Sequence, residues 1–331
     1  MLKLGNLILN VPFMQAPLSG YSDYAMRRLA LDFGAPLTFS GVMLAKSAAH
    51  PKVLKKPAFR PHDDEHPVGA QILGAEPVTM AKAARALQDV GYDIIDLNFA
   101  CPAPKVLRRQ RGGYLLNEPE TIMRIYDRVR EAVSCPVTIK LRIGFDSGRK
   151  SYDNFHTIVS GASERKVDAL TIHGRTVVQK FTGDVDWNLL AQIKSRLPET
   201  TIIGSGDLFN PQTIAERLAV TKVDGVLIAR GAVGNPWVYE GLNAVLKGEP
   251  APPKPSLCEQ AEVIRRHFDG VCRLYEPIAA IRYFRKFLIQ YCRLHPKRKQ
   301  AQKDLIAAKN KTQLITAIEQ WYGNSMLPEV S

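Results

Sequence analysis

The sequence is sparing with cysteine. Five occur in 331 residues, at 101, 135, 258, 272 and 292, and no two form a CxxC pair. An odd, scattered set excludes a disulfide framework and a cysteine-built zinc site, so no metal is expected and a reducing compartment is. No run of about 18 apolar residues is present, which excludes a membrane-spanning helix and any membrane partnership built on one. The opening MLKLGNLILNVPFMQAPLSG breaks its apolar stretches at Gly5, Asn6, Asn10 and Pro12. No export leader is expected from such a pattern, and the chain is placed in the cytoplasm. Also missing is a GxGxxG turn after an early strand, which an open, doubly wound dinucleotide-binding sheet would want. Acidic residues are outnumbered: 32 Asp and Glu against 45 Lys and Arg leave a net charge of +13, a balance that fits a polyanionic partner.

What is present is an alternation. Short β-branched and apolar runs recur as FMQAP (13–17), LTFSGVM (37–43), VGAQIL (68–73), DIIDLNFA (93–100), PVTIKLRIG (136–144), ALTIHGR (169–175), TIIGSGD (201–207) and GVLIARG (225–231). Between them, segments such as 77–91, 119–133 and 186–198 place apolar residues at three- and four-residue spacing, the period of a helix. Eight buried strands alternating with helices predict an α/β fold, a (β/α)8 TIM barrel over residues 1–247. A proline-rich linker follows at 248–256, and 257–331 reads as a smaller all-helical C-terminal domain. Its segment 281–311 carries Arg282, Arg285, Lys286, Arg293, Lys297 and Arg298 among other basic residues, interleaved with Tyr283, Phe284, Phe287 and Tyr291, with Asp304 its single acid. A solvated helix face and a phosphate-binding surface both account for such a run, and concentration of one sign favours the second.

In a parallel barrel the chemistry sits at the C-terminal ends of the strands. Those ends hold Ala16, Pro17 and Leu18, Gln71, Asn98 with Cys101, Lys140 with Arg142, His173 with Arg175, Ser205, Gly206 and Asp207, and Ala229 with Arg230. Lys140 is the sharpest, because it interrupts VTIKLRI where a barrel strand should be apolar, and a buried ammonium wants an anion. An internal ion pair with Asp96 is the competing account. Ser205–Asp207 and Ala229–Gly231 end the last two strands in small residues suited to a phosphate cradle. A phosphate, a lysine, a glutamine and an asparagine at one mouth suit flavin mononucleotide: Gln71 and Asn98 on the pyrimidine edge of its ring, Lys140 at N1 and O2, His173 on the ribityl or phosphate.

Beyond these single residues, MQAPLSGYSDYAMRRLALDFGA, VGAQILGAEP, IIDLNFACPAPKV, PVTIKLRIGFD, LTIHGRT, GSGDL and DGVLIARGAVGNPW occur in order and resemble the successive motifs of the tRNA-dihydrouridine synthases, nearest the bacterial B type. The resemblance spans the whole barrel and reaches into the helical tail. It implies an FMN- and NADPH-dependent oxidoreductase that reduces uridines of tRNA to 5,6-dihydrouridine in tRNA processing. By motif position it implies that Ala16, Pro17 and Leu18 border the flavin, that Gln71 and Lys140 bond its ring, and that Ser205, Gly206, Asp207, Ala229 and Arg230 hold its phosphate. Cys101 would be the acid that protonates C5 after hydride reaches C6, a role open to a protonated thiol. Arg108, Arg109 and Arg111, on a loop whose glycines would let it move, are expected to meet RNA backbone, as are Arg175, Arg282, Arg285 and Lys286. A monomer is favoured. The chain departs from the family's usual residues at Gly41, where an acid is common, and at Leu107 and Ser205, where asparagine is. Two other readings compete: a dihydroorotate dehydrogenase-like flavin barrel acting on a small pyrimidine, which leaves the basic tail unused, and a non-catalytic RNA-binding protein or a member acting on another RNA.

Overall fold

A computed structural model of the chain describes residues 1–54 and 60–323. Its centre is a parallel sheet in the order β3 (Phe13–Gln15), β11 (Gly225–Ile228), β10 (Ile202–Ser205), β9 (Ala169–His173), β8 (Val137–Arg142), β7 (Ile94–Asn98), β6 (Val68–Leu73) and β4 (Thr38–Phe39). The Gln15 amide donates to the Leu37 carbonyl at 3.0 Å, bringing the first strand beside the second, so the sheet is a nearly closed eight-strand barrel with helices around it. The expected strand at 37–43 is split. Thr38–Phe39 pairs with the start of β6, the chain bends through Ser40, Gly41 and Val42, and β5 (Met43–Leu44) pairs with the end of β6.

Alternation along each strand sorts its side chains. Ile95, Leu97, Val137, Ile139, Leu141, Leu170 and Ile172 face outward into the large core shared with the surrounding helices. The residues between them, including Asp96, Asn98, Thr138, Lys140, Arg142, Thr171 and His173, face the barrel axis, where register sets Asn98 beside Lys140 and Arg142 beside His173. The interior is thus layered. Its lower layers are apolar, with Met14, Leu37, Phe39, Ile94, Ala169, Ile203 and Leu227 in one cluster with Leu2, Leu4 and Leu9. Those three leucines belong to an antiparallel hairpin, β1 (Leu2–Leu4) and β2 (Leu7–Leu9), that packs on the barrel's lower end. The sequence gives no element there, since strands of three residues are too short for periodicity to register.

After the helix Trp237–Leu246 the chain runs without regular structure to Ser256, whose side chain forms a capping box with Glu259 at the start of the helix Leu257–Leu274. Helices Pro277–Tyr291, Arg298–Ala307 and Lys311–Tyr322 complete a helical layer. The last residues of the expected helical region, 324–331, lie outside those described. This layer has its own apolar core, including Phe268, Phe284, Phe287, Leu305, Leu314 and Tyr322, but that core also takes in Ala25, Met26 and Leu29 from the first barrel helix, Tyr24–Asp32. The barrel and the layer therefore share buried surface. Among the described residues no helix is long and apolar enough to cross a membrane, and no His, Cys, Asp and Glu side chains group as a metal site.

Phe287 sits at that junction, fully buried and edge-on to Tyr21 of the loop after β3, with ring centroids 5.2 Å apart. Phe287→Ala is expected to cost about 3–5 kcal/mol in denaturant unfolding. A cost below about 1 kcal/mol, within the range of an exposed site, would show that the layer is not held by this contact.

Candidate active site

The barrel's upper end opens into a cavity of about 250 Å³. Ala16, Pro17, Leu18, Gln71, Asn98, Cys101, Lys140, His173, Ser205, Gly206, Asp207, Ala229 and Arg230 all line it. Arg142, expected at this mouth but assigned no task there, lines it as well, as do Phe181 and Phe209, which sequence reasoning missed. The signal for Arg142 was its spacing: two residues past Lys140 on one strand, it must face the same side.

Lys140 borders the cavity, and among the described residues no carboxylate pairs with it. Asp96, the expected internal partner, instead accepts from the Thr138 hydroxyl at 2.6 Å and from Gln71 Nε2 at 2.6 Å. Burial pushes Lys140 down to about 8, a shift that the more distant Asp96 offsets in part and the Arg142 cation adds to. The same burial pushes Asp96 up to about 6 against the pull of Gln71, Thr138 and Lys140. Arg142 is 3% exposed and is held by three backbone carbonyls, those of Ala100 (2.9 Å), Thr176 (2.8 Å) and Lys180 (2.7 Å), with no carboxylate partner among the described residues. His173 is buried with Nε2 unpartnered, and burial followed by the charges of Lys140, Arg142, Arg175 and Arg230 pushes it far down, so the ring is neutral. A cluster of donors facing a cavity with few acceptors is suited to an anionic or carbonyl-rich planar group. These residues fit a flavin ring and its phosphate.

At the end of β10, Gly206 (φ +129°) and Asp207 (φ +50°) turn the chain sharply, and a Cβ on Gly231 would stand 1.9 Å from the Leu208 carbonyl oxygen, so the seventh and eighth loops touch backbone to backbone there. The Asp207 carboxylate is already engaged. It pairs with Arg175 and, at 2.9 Å, with Arg230, and its hydrogen bond with Arg175 is the main reason its carboxyl lies below the usual range. What Asp207 has left for a phosphate is its backbone N–H. Arg230 lies between the half-exposed rings of Phe181 and Phe209, 4.8 Å and 5.5 Å from their centroids.

Cys101 is half-buried and lines the cavity, and its backbone N–H, like that of Ala100, donates to Asn98 Oδ1 at 3.0 Å. Asn98 Nδ2 donates in turn to Gln71 Oε1 at 2.7 Å. The glycines after Cys101 pack rather than loosen. Gly113 N–H donates to the Cys101 carbonyl at 3.1 Å, and a Cβ on Gly112 would lie 3.0 Å from that of Cys101. Leu107, on the short helix Pro104–Leu107, packs against the main core.

The basic residues divide. Arg108, Arg109 and Arg282 are exposed and Arg111 is half-buried. Arg175 is 3% exposed and committed to Asp207 and the Gly183 carbonyl (2.6 Å), so it is withdrawn from any RNA surface. Arg285 donates to the Ala308 carbonyl at 3.2 Å. Lys286 donates to the Gly20 carbonyl with its ammonium 3.1 Å from the Tyr283 ring centroid, a bond between the helical layer and the loop after β3. Arg293 feels both Arg298 and Arg230, so cations of the helical layer and of the barrel rim adjoin.

A nearly closed parallel barrel with its cations and its one cavity-lining thiol gathered at the C-terminal strand ends has the plan of a barrel enzyme. The family model described as Dihydrouridine synthase matches residues 14–323, and the chain belongs to that family, whose chemistry is that of an oxidoreductase. It is 32% identical over 293 residues to a probable tRNA-dihydrouridine synthase of Rickettsia prowazekii, covering 88% of each chain. It is also 32% identical over 290 residues to tRNA-dihydrouridine synthase B of Pasteurella multocida, covering 88% of this chain and 86% of that one. Among solved structures, morphinone reductase in complex with tetrahydroNAD shares the fold at a TM-score of 0.52 and 13% identity, over 76% of this chain and 91% of that one. A 2-naphthoyl-CoA reductase does so at 0.58 and 14%, over 75% of this chain, which spans about half (52%) of that longer protein.

The electrostatics of Lys140 can be read in solution. With its folded value near 8 and an ordinary value of 10.5, the unfolded chain holds the extra proton between those limits. Stability of the ligand-free protein therefore gains a rising contribution from Lys140 between about pH 8 and 10. Lys140→Met is expected to remove that rise and to stabilise the ligand-free protein at pH 7 by on the order of 1–3 kcal/mol. Unfolding curves at pH 7, 8, 9 and 10 measure both. Equal pH profiles for the two proteins would mean that Lys140 has a counterion.

Proposed function

We propose that this protein reduces uridine to 5,6-dihydrouridine in tRNA, with FMN held in the mouth cavity and NADPH as the reductant. The observation that carries this reading is the joint placement of Cys101, Lys140 and Arg142 around one cavity in a dihydrouridine synthase fold. Bound there, the flavin would supply hydride to C6 of a uracil. Lys140 would hold its ring at the electron-rich pyrimidine edge together with Gln71, while Arg230 and the backbone N–H groups at Gly206 and Asp207 would take its phosphate.

The rest of the reaction falls to the chain. Hydride arrival at C6 leaves an electron pair delocalised over C5 and O4 of the base. The Cys101 thiol gives its proton to C5, forming the C5–H bond and leaving a thiolate that regains a proton from water. Arg142, anchored to the Ala100 carbonyl beside Cys101, places a fixed positive charge next to this step. Asn98, expected on the flavin's pyrimidine edge, has its oxygen committed to the Cys101 turn, and only its second amide hydrogen remains for a ligand.

The substrate uridine must leave its stack to enter the barrel, so the protein has to grip phosphates on either side. Arg108 and Arg109 on one rim, and Arg230, Arg293 and Arg298 where the barrel meets the helical layer, supply that grip. On this reading residues 1–247 are the catalytic part and the helices after Ser256 the RNA-binding part. A small free pyrimidine would leave this divided basic rim without a use.

The test is nucleoside mass spectrometry of tRNA from cells with and without the gene. Dihydrouridine is expected to be lost at defined sites and restored by the wild-type gene but not by Cys101→Ala. Purified Cys101→Ala is expected to form product about 10²–10⁴-fold more slowly while NADPH bleaches its flavin at the wild-type rate. An unchanged nucleoside profile in the deletion strain would refute the assignment.

A further inference from the structure

Asp96 is buried at 3% exposure within the barrel and does not border the cavity. An acid in that position is costly to keep. Its two oxygens each accept one hydrogen bond, from Thr138 Oγ1 and from Gln71 Nε2. The two ends of a carboxamide have nearly the same shape, so a buried glutamine or asparagine can face either way, and what decides is the polarity of its partners. A carboxylate can only accept. It therefore forces the Gln71 NH₂ toward itself and the Gln71 oxygen toward Asn98, whose NH₂ donates to it at 2.7 Å. Asn98 must then present its own oxygen to the backbone N–H groups of Ala100 and Cys101, both at 3.0 Å.

We propose that Asp96 is a positioning residue: its carboxylate sets the direction of a relay through Gln71 and Asn98 that fixes the backbone turn carrying Cys101 at the cavity. The relay crosses adjacent strands β6 and β7, and Thr138 on β8 anchors its far end. Reversal of Asn98 would aim its NH₂ group at the two backbone N–H groups, donor against donor, and release the turn; reversal of Gln71 would set its NH₂ against that of Asn98 and its oxygen against Asp96. Each hydrogen bond here is local, but the polarity that orders them comes from one side chain two layers below the thiol. Burial holds the Asp96 carboxyl up at about 6 even with both donors in place and the Lys140 charge nearby.

The inference rests on the reading of Cys101 as the proton donor, and its test has a readout that does not need the reaction. Amide hydrogen exchange at Ala100 and Cys101 is measured in the ligand-free protein for wild type, Asp96→Leu and Asp96→Asn, alongside kcat for dihydrouridine formation and Kd for tRNA. In Asp96→Leu the Gln71 NH₂ loses its acceptor, and exchange at the two amides is expected to rise at least about tenfold, kcat to fall by a similar factor, and Kd for tRNA to stay within about twofold. Asp96→Asn can keep an oxygen toward Gln71 by turning its NH₂ to the Thr138 hydroxyl, so it is expected to retain the protection and most of kcat. If Asp96→Leu does not fold, Gln71→Met cuts the relay one link on and is expected to give the same exchange signature. Exchange at Ala100 and Cys101 within twofold of wild type in Asp96→Leu or in Gln71→Met overturns the relay, as does an Asp96→Asn protein as unprotected as Asp96→Leu. Failure of wild type to form dihydrouridine would instead count against the proposed function and leave the exchange result standing.

Discussion

The mouth of this barrel is governed by an imbalance of charge. Lys140, Arg142, Arg175 and Arg230 converge there around a neutral His173, and the one carboxylate lining the cavity, Asp207, is consumed by Arg175 and Arg230. The second acid within reach, Asp96, turns its oxygens to Gln71 and Thr138. Two cations are left without acids. Three carbonyls hold Arg142 in place and Lys140 faces the cavity, so the ligand-free fold stores an unmet demand for negative charge at the point where β6 to β9 end. The stability cost of that arrangement is the counterpart of affinity for an electron-rich planar ligand, and it explains why a strand otherwise as apolar as β8 carries Lys140 and Arg142 two residues apart.

How much of this was legible in the sequence follows from the range of each signal. Strand positions were, because buried parallel strands are continuous apolar runs, and β6, predicted at 68–73, spans Val68–Leu73. The strand ends then named the residues that surround the cavity, since a barrel brings all those ends to one place. The N-terminal hairpin was not legible, nor was the break at Gly41, as both depend on contacts with distant strands. The arginines and lysines were ambiguous for a similar reason. Arg175 and Arg108 look alike in sequence, yet one is folded inward onto Asp207 and the other is exposed. Lys286 reads as a phosphate ligand on a basic helix and instead joins the helical layer to the loop after β3, which only the approach of Gly20 and Tyr283 reveals. The glycines at 112 and 113 suggested mobility; in the fold a Cβ on Gly112 would press on Cys101 and Val106, and one on Gly113 on Val177.

The helical layer is joined to the site at two places. Through Lys286, Tyr283 and Phe287 it holds the loop after β3, whose Ala16, Pro17 and Leu18 line the cavity. Through Arg293 and Arg298 it extends the cationic rim that begins at Arg230. On the proposed reading, the part of the chain that holds the RNA is thereby mechanically continuous with the wall of the cavity where the base is reduced. The shared core with the first barrel helix makes the two parts one unit for stability as well.

The central claim is that Lys140 has no carboxylate partner among the described residues because the electron-rich edge of the ligand's ring takes that place. Titration of FMN into ligand-free protein, followed by flavin fluorescence, tests this most directly. Wild type is expected to bind one FMN per chain, and Lys140→Met to bind it at least about tenfold more weakly, the order expected for a lost hydrogen bond to a charged group. Equal affinity in the two proteins, or no binding by wild type, would contradict the account.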